Sequence, residues 1–222
     1  MPDYQQITGR LIQALGPVAD LHRTSPLDHC DTALEVLLAT ILTQNTNDRN
    51  AIKAWMNYKA RFSRPEDGLA ASEAEIAATI RIAGLAAQKA AAIRKVLAAT
   101  RERFGDFRLE RLTGPDEAWA FLNGLPGVGP KTAACTMVFG LRLPAFPVDT
   151  HIHRVTLRLG WVPERTDPAK AQALLTTEVP AGLHHDLHIL LLNLGRRYCH
   201  PKQPECRSCP LEGDCGTAKK FT

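Results

Sequence analysis

The sequence predicts an all-α protein, and three observations carry that expectation. Apolar residues recur at three- and four-residue spacing along most of the chain, the pattern of helices that bury one face. No alternating strand pair with a hairpin turn signal interrupts them. Gly105, Gly124, Gly140 and Gly160 each follow an apolar run, where the end of a helix commonly needs a residue in the left-handed conformation.

In chain order, the first periodic stretches cover residues 34–43, 51–62 and 73–82. Stretch 87–104 stops at Gly105, and 115–122 stops at Gly124. Stretch 132–141 runs to Gly140, and 150–159 stops at Gly160. Residues 168–179 and 183–196 complete the series. Two prolines in LPAFP, residues 143–147, discourage helix and mark a seam between the middle and C-terminal helices. There is no internal repeat or low-complexity segment.

The chain has 222 residues, 45% hydrophobic and 23% charged, which suits one large or two small folded domains and excludes intrinsic disorder. Its 27 Lys plus Arg against 23 Asp plus Glu leave a net charge of +4. That excess is compatible with a polyanionic partner but too small to identify one. Residues 193–222 hold six basic side chains against three acidic ones, so most of the excess lies there. No run of 18 apolar residues occurs, and MPDYQQITGR reads as neither signal peptide nor transit segment. The expected location is cytoplasmic, nucleoid-associated in a bacterium.

Four of the six cysteines crowd into YCHPKQPECRSCPLEGDC, with Cys199, Cys206, Cys209 and Cys215 spaced C-x6-C-x2-C-x5-C. Such crowding is unlike the spread framework of a disulfide-stapled domain and points to metal. Four soft thiolates suit zinc or an iron-sulfur cluster. Structural zinc sites usually carry two close cysteine pairs, and only Cys206 with Cys209 forms one here. Loops of six and five residues favour a 4Fe-4S cluster. Cys30 and Cys135 stand outside the motif and read as packing residues.

The second strong signal is LPGVGPKTAA, residues 125–134, between two helical stretches. Gly127 and Gly129 permit backbone conformations closed to other residues, so the chain can reverse tightly and aim amides outward. Leu125 and Val128 anchor the turn in the core. Pro130 fits the first position of a helix, whose N-terminus favours an anion such as a phosphate. This arrangement holds a nucleic-acid backbone without reading sequence.

Lys131 follows in the first helical turn, where the positive end of the helix disfavours the ammonium form and eases access to a nucleophilic amine. Read alone, it is equally a lysine that touches phosphate or solvent. Eighteen positions later Asp149 lies in FPVDTHIHRV, just ahead of a helix. It suits a structural N-cap, a role that does not exclude service as a catalytic anion.

The hairpin LPGVGPK, the downstream VDTHIHRV and the terminal cysteine motif together resemble the endonuclease III family of helix-hairpin-helix DNA glycosylases. The resemblance covers nearly the whole chain: LLATILTQNTND is similar to that family's LLSAQATD segment, and GLAAQKA to its GLYNSKA loop. It implies two all-α lobes: a six-helix barrel with the helix-hairpin-helix over residues 23–144, and an iron-sulfur cluster domain from 1–22 and 145–222. Double-stranded DNA carrying damaged bases or abasic sites would lie across the cleft, bound by a monomer. The damaged nucleotide is flipped into a pocket while side chains fill the gap. Gln44 matches the gap-filling glutamine and Leu85 the intercalating leucine. Lys131 matches the Schiff-base nucleophile, and Asp149 the carboxylate that stabilises positive charge on the sugar. His151 falls at a position near the active site. His153, His184, His185 and His188 receive no role. The implied activity is removal of oxidised pyrimidines coupled to β-elimination at the abasic site.

Three departures bear on substrate. The family's tyrosine after the wedge leucine is Ala86 here, the basic residue before the lysine is Pro130, and the acidic residue three beyond the glutamine is Asn47, followed by Asp48. QNTN is also similar to relatives that remove mismatched thymine or alkylated purines. With seven residues following Cys215, the adenine-mismatch branch, which carries an extra C-terminal recognition domain, is the less expected one. Two other readings remain. One is a monofunctional glycosylase in which Asp149 activates water. The other is a noncatalytic DNA-binding iron-sulfur module.

Overall fold

The structure is a computed structural model, and it describes residues 2–21 and 25–221. All regular structure among these residues is helical. Twelve α-helices follow in chain order: α1 Tyr4–Leu15, α2 Val18–Leu21, α3 Ala33–Thr43, α4 Asp48–Arg61, α5 Pro65–Ala70, α6 Glu73–Thr79, α7 Ala86–Phe104, α8 Pro115–Asn123, α9 Pro130–Cys135, α10 Thr150–Leu159, α11 Pro168–Glu178 and α12 His184–Arg197. Short 3-10 turns join several of them, and α9 runs directly into a π-helical segment, Thr136–Leu141. No described helix is long and apolar enough to cross a membrane. The chain divides into two compact units, one of Thr24–Leu143 and one of Met1–Arg23 with Pro144–Thr222.

The 24–143 unit is built around α3. Residues Ala33, Leu34 and Val36 to Leu42 are all buried, and a helix apolar on every side belongs at the centre of a domain. Thr32 caps it by accepting from Glu35 N at 3.2 Å, and Glu110 Oε1 accepts from Ala33 N at 2.8 Å. Against it packs the π-helical segment. There a Cβ on Gly140 would lie 2.9 Å from Ala33 Cα, so Gly140 serves close helix approach and not helix termination. Gly124 likewise departs from the sequence expectation, since its φ of −80° is right-handed. Gly105 and Gly160 do take the left-handed conformation, at φ 75° and 74°.

In the other unit, Tyr4, Ile7, Leu11 and Leu15 of α1 join Ile152 and Val155 of α10 and Leu187, Leu190, Leu191 and Leu194 of α12 in one core. Periodicity did not predict α1. Its apolar stripe is narrow and its other faces polar, so packing and the Asp3 cap, rather than local pattern, fix the helix. The buried stretch Ala145 to Val148 leads from the seam into α10. The cysteine loop packs on the same core through Cys199 and Cys209.

Candidate active site

Between α8 and α9 the chain alternates in burial. Leu125 and Val128 are buried, while Pro126, Gly127, Gly129 and Pro130 are exposed. Gly127 has φ +80°, and a Cβ there would meet Ala92 Cβ at 2.6 Å. Both conformation and space therefore demand glycine. Gly129 corrects the sequence expectation: its φ is −89° and a Cβ would meet nothing within 4 Å. Its backbone is ordinary, and the space beside it is open. Lys131, half-buried, follows Pro130 in the first turn of α9.

Gln44 ends α3, and its Nε2 donates to the Gly127 carbonyl at 3.0 Å and to Thr132 Oγ1 at 3.1 Å. The structure thus joins Gln44 to the hairpin. Leu85 caps the start of α7 with φ +48° and is 48% exposed. A leucine held left-handed and solvent-facing is unusual on both counts. Beside these residues lies Lys89, which the sequence reading passed over. It is buried on α7, with Nζ donating to the carbonyls of Leu42 at 3.0 Å and Ala83 at 2.8 Å. Its place on the apolar stripe with Ile93, Val96 and Thr100 was the available signal.

Asp149 lies in the other unit, as the N-cap of α10, and its Oδ1 accepts from Ile152 N at 2.8 Å. Three side chains hold the segment before it. Thr176 Oγ1 accepts from Phe146 N at 3.0 Å, Gln172 Oε1 from Val148 N at 3.4 Å, and His188 Nδ1 pairs with the Pro147 carbonyl at 2.9 Å. None of the three was legible as a functional residue, because their partners are backbone atoms distant in sequence. His151 is half-buried, with Nδ1 3.2 Å from Arg154 Nη2.

Cys199, Cys206, Cys209 and Cys215 line one cavity together with Val155, Arg158 and Leu194. Burial pushes the Cys209 thiol up to about 11, with the neighbouring sulfurs of Cys199, Cys215 and Cys206 adding to the rise. Burial and the same crowding raise Cys206. Arg158 Nη1 reaches Cys199 Sγ at 3.2 Å and donates to the His200 carbonyl at 2.7 Å. Cys30 stands apart: its thiol donates to the Pro26 carbonyl and burial drives it up to about 12. Cys135 is buried in α9.

The family model for the HhH-GPD superfamily base excision DNA repair protein matches residues 38–181. The chain belongs to this family. Endonuclease III of Thermotoga maritima is 34% identical over 191 residues, covering 86% of each chain. A putative DNA glycosylase of Arabidopsis thaliana is 34% identical over 194 residues, and the match covers 82% of this chain and 66% of that relative. Among solved structures, a trapped endonuclease III-DNA covalent intermediate superposes with TM-score 0.77 at 28% identity over 99% of both chains. A thermostable thymine-DNA glycosylase shares the fold, with TM-score 0.82 at 23% identity over 98% of this chain and 97% of that one.

Within this HhH-GPD DNA glycosylase family and the endonuclease III fold, the three departures have local roles. Asn47 caps α4 by accepting from Asn50 N at 2.9 Å. Pro130 begins α9, and Ala86, half-buried, begins α7.

Proposed function

We propose that the chain is a DNA glycosylase and abasic-site β-lyase that removes oxidised pyrimidines from double-stranded DNA. The observation that carries this reading is the position of Lys131, one residue past a hairpin whose exposed glycine backbone suits a DNA phosphate. A lysine beside such a phosphate site is placed to meet the sugar attached to it in the reading proposed. Asp149 supplies the second group.

With the lesion flipped out, Gln44 fills the vacated space and Leu85 wedges the stack. The Lys131 amine attacks the anomeric carbon, the glycosidic bond breaks, and its electron pair leaves with the base, which takes up a proton. The Asp149 carboxylate stabilises the positive charge that develops on the sugar. Loss of a proton and ring opening give the imine, and removal of a C2′ proton then expels the 3′ phosphate by β-elimination. Leu125 and Val128 brace the hairpin, Gly127 and Gly129 present its amides, and His151 lies on the helix that Asp149 begins.

Cys199, Cys206, Cys209 and Cys215 would hold a 4Fe-4S cluster. They fit it: four thiols face one cavity, and their crowding is relieved when a cationic group takes up the thiolates. The loop that these cysteines would hold in place carries Arg207, a basic side chain that would meet a DNA phosphate.

Borohydride trapping tests the mechanism. The expected result is a stable protein-DNA adduct on lesion and abasic duplexes, with Lys131→Gln losing adduct and strand cleavage while still binding DNA. Free-base release without an adduct would give the reaction to Asp149 and water. A panel of oxidised pyrimidine, uracil, mismatched thymine and alkylated purine duplexes tests the substrate, and no turnover on any would leave a DNA-binding module.

A further inference from the structure

Lys89 is 3% exposed, yet its ammonium donates to two backbone carbonyls, those of Leu42 and Ala83. Lysine is almost never buried this far without an anionic partner, and burial holds its pKa below the ordinary lysine value. An apolar residue would fill the same space on α7 without that penalty. The side chain must therefore be judged by what its ammonium joins.

The two carbonyls belong to different segments. Leu42 lies in the last turn of α3, two residues before Gln44, and Ala83 lies two residues before Leu85. Immediately beyond, the backbone passes through left-handed residues in both places, Asn45 at φ +51° and Leu85 at φ +48°. Such conformations persist only where the surroundings hold them. The C-terminal ends of helical segments carry partial negative charge, and their free carbonyls accept from a cation. One ammonium thus fastens both turns at once, with bonds of 3.0 and 2.8 Å.

We infer that Lys89 is a positioning residue for lesion recognition: by joining the Leu42 and Ala83 carbonyls it fixes the spacing between the turns bearing Gln44 and Leu85. The inference rests on the proposed insertion of those two side chains into DNA. With their spacing fixed before binding, the gap-filling amide and the wedge enter the duplex together. Without Lys89, two carbonyls lose their shared partner and the turns can drift apart. Extraction of a stacked base should suffer, because it needs both side chains in register. Cleavage of a preformed abasic site, which has no base to extract, should suffer much less.

The experiment compares the full-length parent with Lys89→Met. Three quantities are read: single-turnover excision of an oxidised pyrimidine, strand cleavage at a preformed abasic site, and fluorescence of 2-aminopurine beside a tetrahydrofuran abasic analogue. The last reads insertion directly, whichever lesion is preferred. Ångström-scale misplacement of reacting groups costs up to about 100-fold in rate, so excision should fall by roughly 10- to 100-fold. Abasic-site cleavage should fall by less than about threefold on the same reasoning, and the fluorescence rise should shrink. Lys89→Gln can keep one of the two carbonyls; it should show the same split at smaller amplitude, and it replaces Lys89→Met if that variant does not fold. Equal losses in excision and abasic-site cleavage, or parental fluorescence in the variants, would reduce Lys89 to a buried strut. A parent that binds the abasic duplex without any fluorescence change would overturn the insertion reading itself, and this inference with it.

Discussion

The side-chain amide of Gln44 donates to the backbone carbonyl of Gly127 at 3.0 Å, which ties the end of α3 to the hairpin that precedes Lys131. A second bond from the same nitrogen reaches Thr132 Oγ1 at 3.1 Å. The residue proposed to fill the gap in DNA is therefore also a brace for the hairpin, and insertion exchanges one set of bonds for another.

Gln44→Ala should lower excision of a stacked lesion by about tenfold or more and abasic-site cleavage much less. A modest drop in Tm should accompany it, since a lost internal hydrogen bond is worth about 1 kcal/mol. Single-turnover rates on the two substrates decide the matter, and equal losses on both would remove the gap-filling role.

Gly127→Ala and Gly129→Ala should behave oppositely. At Gly127 an added methyl meets Ala92 Cβ at 2.6 Å on a backbone of φ +80°, so destabilisation of about 2 kcal/mol is expected. Ala92→Gly in the same chain should recover the steric part and leave the conformational part. At Gly129 the backbone is ordinary and the space open, so the expected stability change is below about 0.5 kcal/mol. DNA affinity should nevertheless weaken there. Denaturant titration paired with a salt series of binding isotherms separates the effects.

Asp149→Asn keeps an acceptor for Ile152 N, now bonded to Oδ1 at 2.8 Å, so the helix cap should survive with little change in Tm. Excision should fall by about 100-fold or more because the negative charge is gone. Parental activity in this variant would return Asp149 to a purely structural role.

Metal analysis should find about four irons per chain, the content of a cubane on four cysteines. Cys206→Ser should lose iron and DNA affinity together. Arg158 donates to Cys199 Sγ, His200 O and Pro201 O, while its own carbonyl accepts from Thr217 Oγ1 at 2.8 Å. Arg158→Met should therefore release iron to a chelator faster than the parent, since groups that orient ligands tune a metal site. A colourless protein with stoichiometric zinc, prepared anaerobically, would refute the cluster.

His184 predicts a pH dependence of stability. Its Nε2 pairs with the Val179 carbonyl at 2.9 Å, so in the neutral ring that nitrogen carries the proton, while Nδ1 is buried without a hydrogen-bond partner among the described residues. Burial holds the pKa below the ordinary histidine value, and the bond to Val179 offsets part of that. Because the folded pKa is the lower one, the unfolded chain takes up the proton first. Stability is full above the ordinary value and declines as pH falls through the folded one. Tm should fall between about pH 7.5 and 5.5, and less steeply in His184→Gln. Parallel losses in the two proteins would assign the decline elsewhere.

The sequence by itself determined the all-α class, the helical stretch that becomes α3, the hairpin between α8 and α9, and the spacing of the four cysteines. These are local features: periodicity, glycine and proline chemistry, and donor spacing are legible because cause and effect lie within a few residues of one another. Tertiary structure decided the rest. It separated Gly127, which needs its conformation and its space, from Gly129, which needs neither, because only the position of Ala92 distinguishes them. It made Gly140 a point of helix contact with Ala33 instead of a helix stop. It stabilised α1, whose narrow stripe means little until a core receives it. It also brought His188, Gln172 and Thr176 to the segment before Asp149, and Lys89 to the carbonyls of Leu42 and Ala83. A side chain that bonds to backbone far away in sequence leaves no mark on its own neighbours, so only the folded chain discloses it.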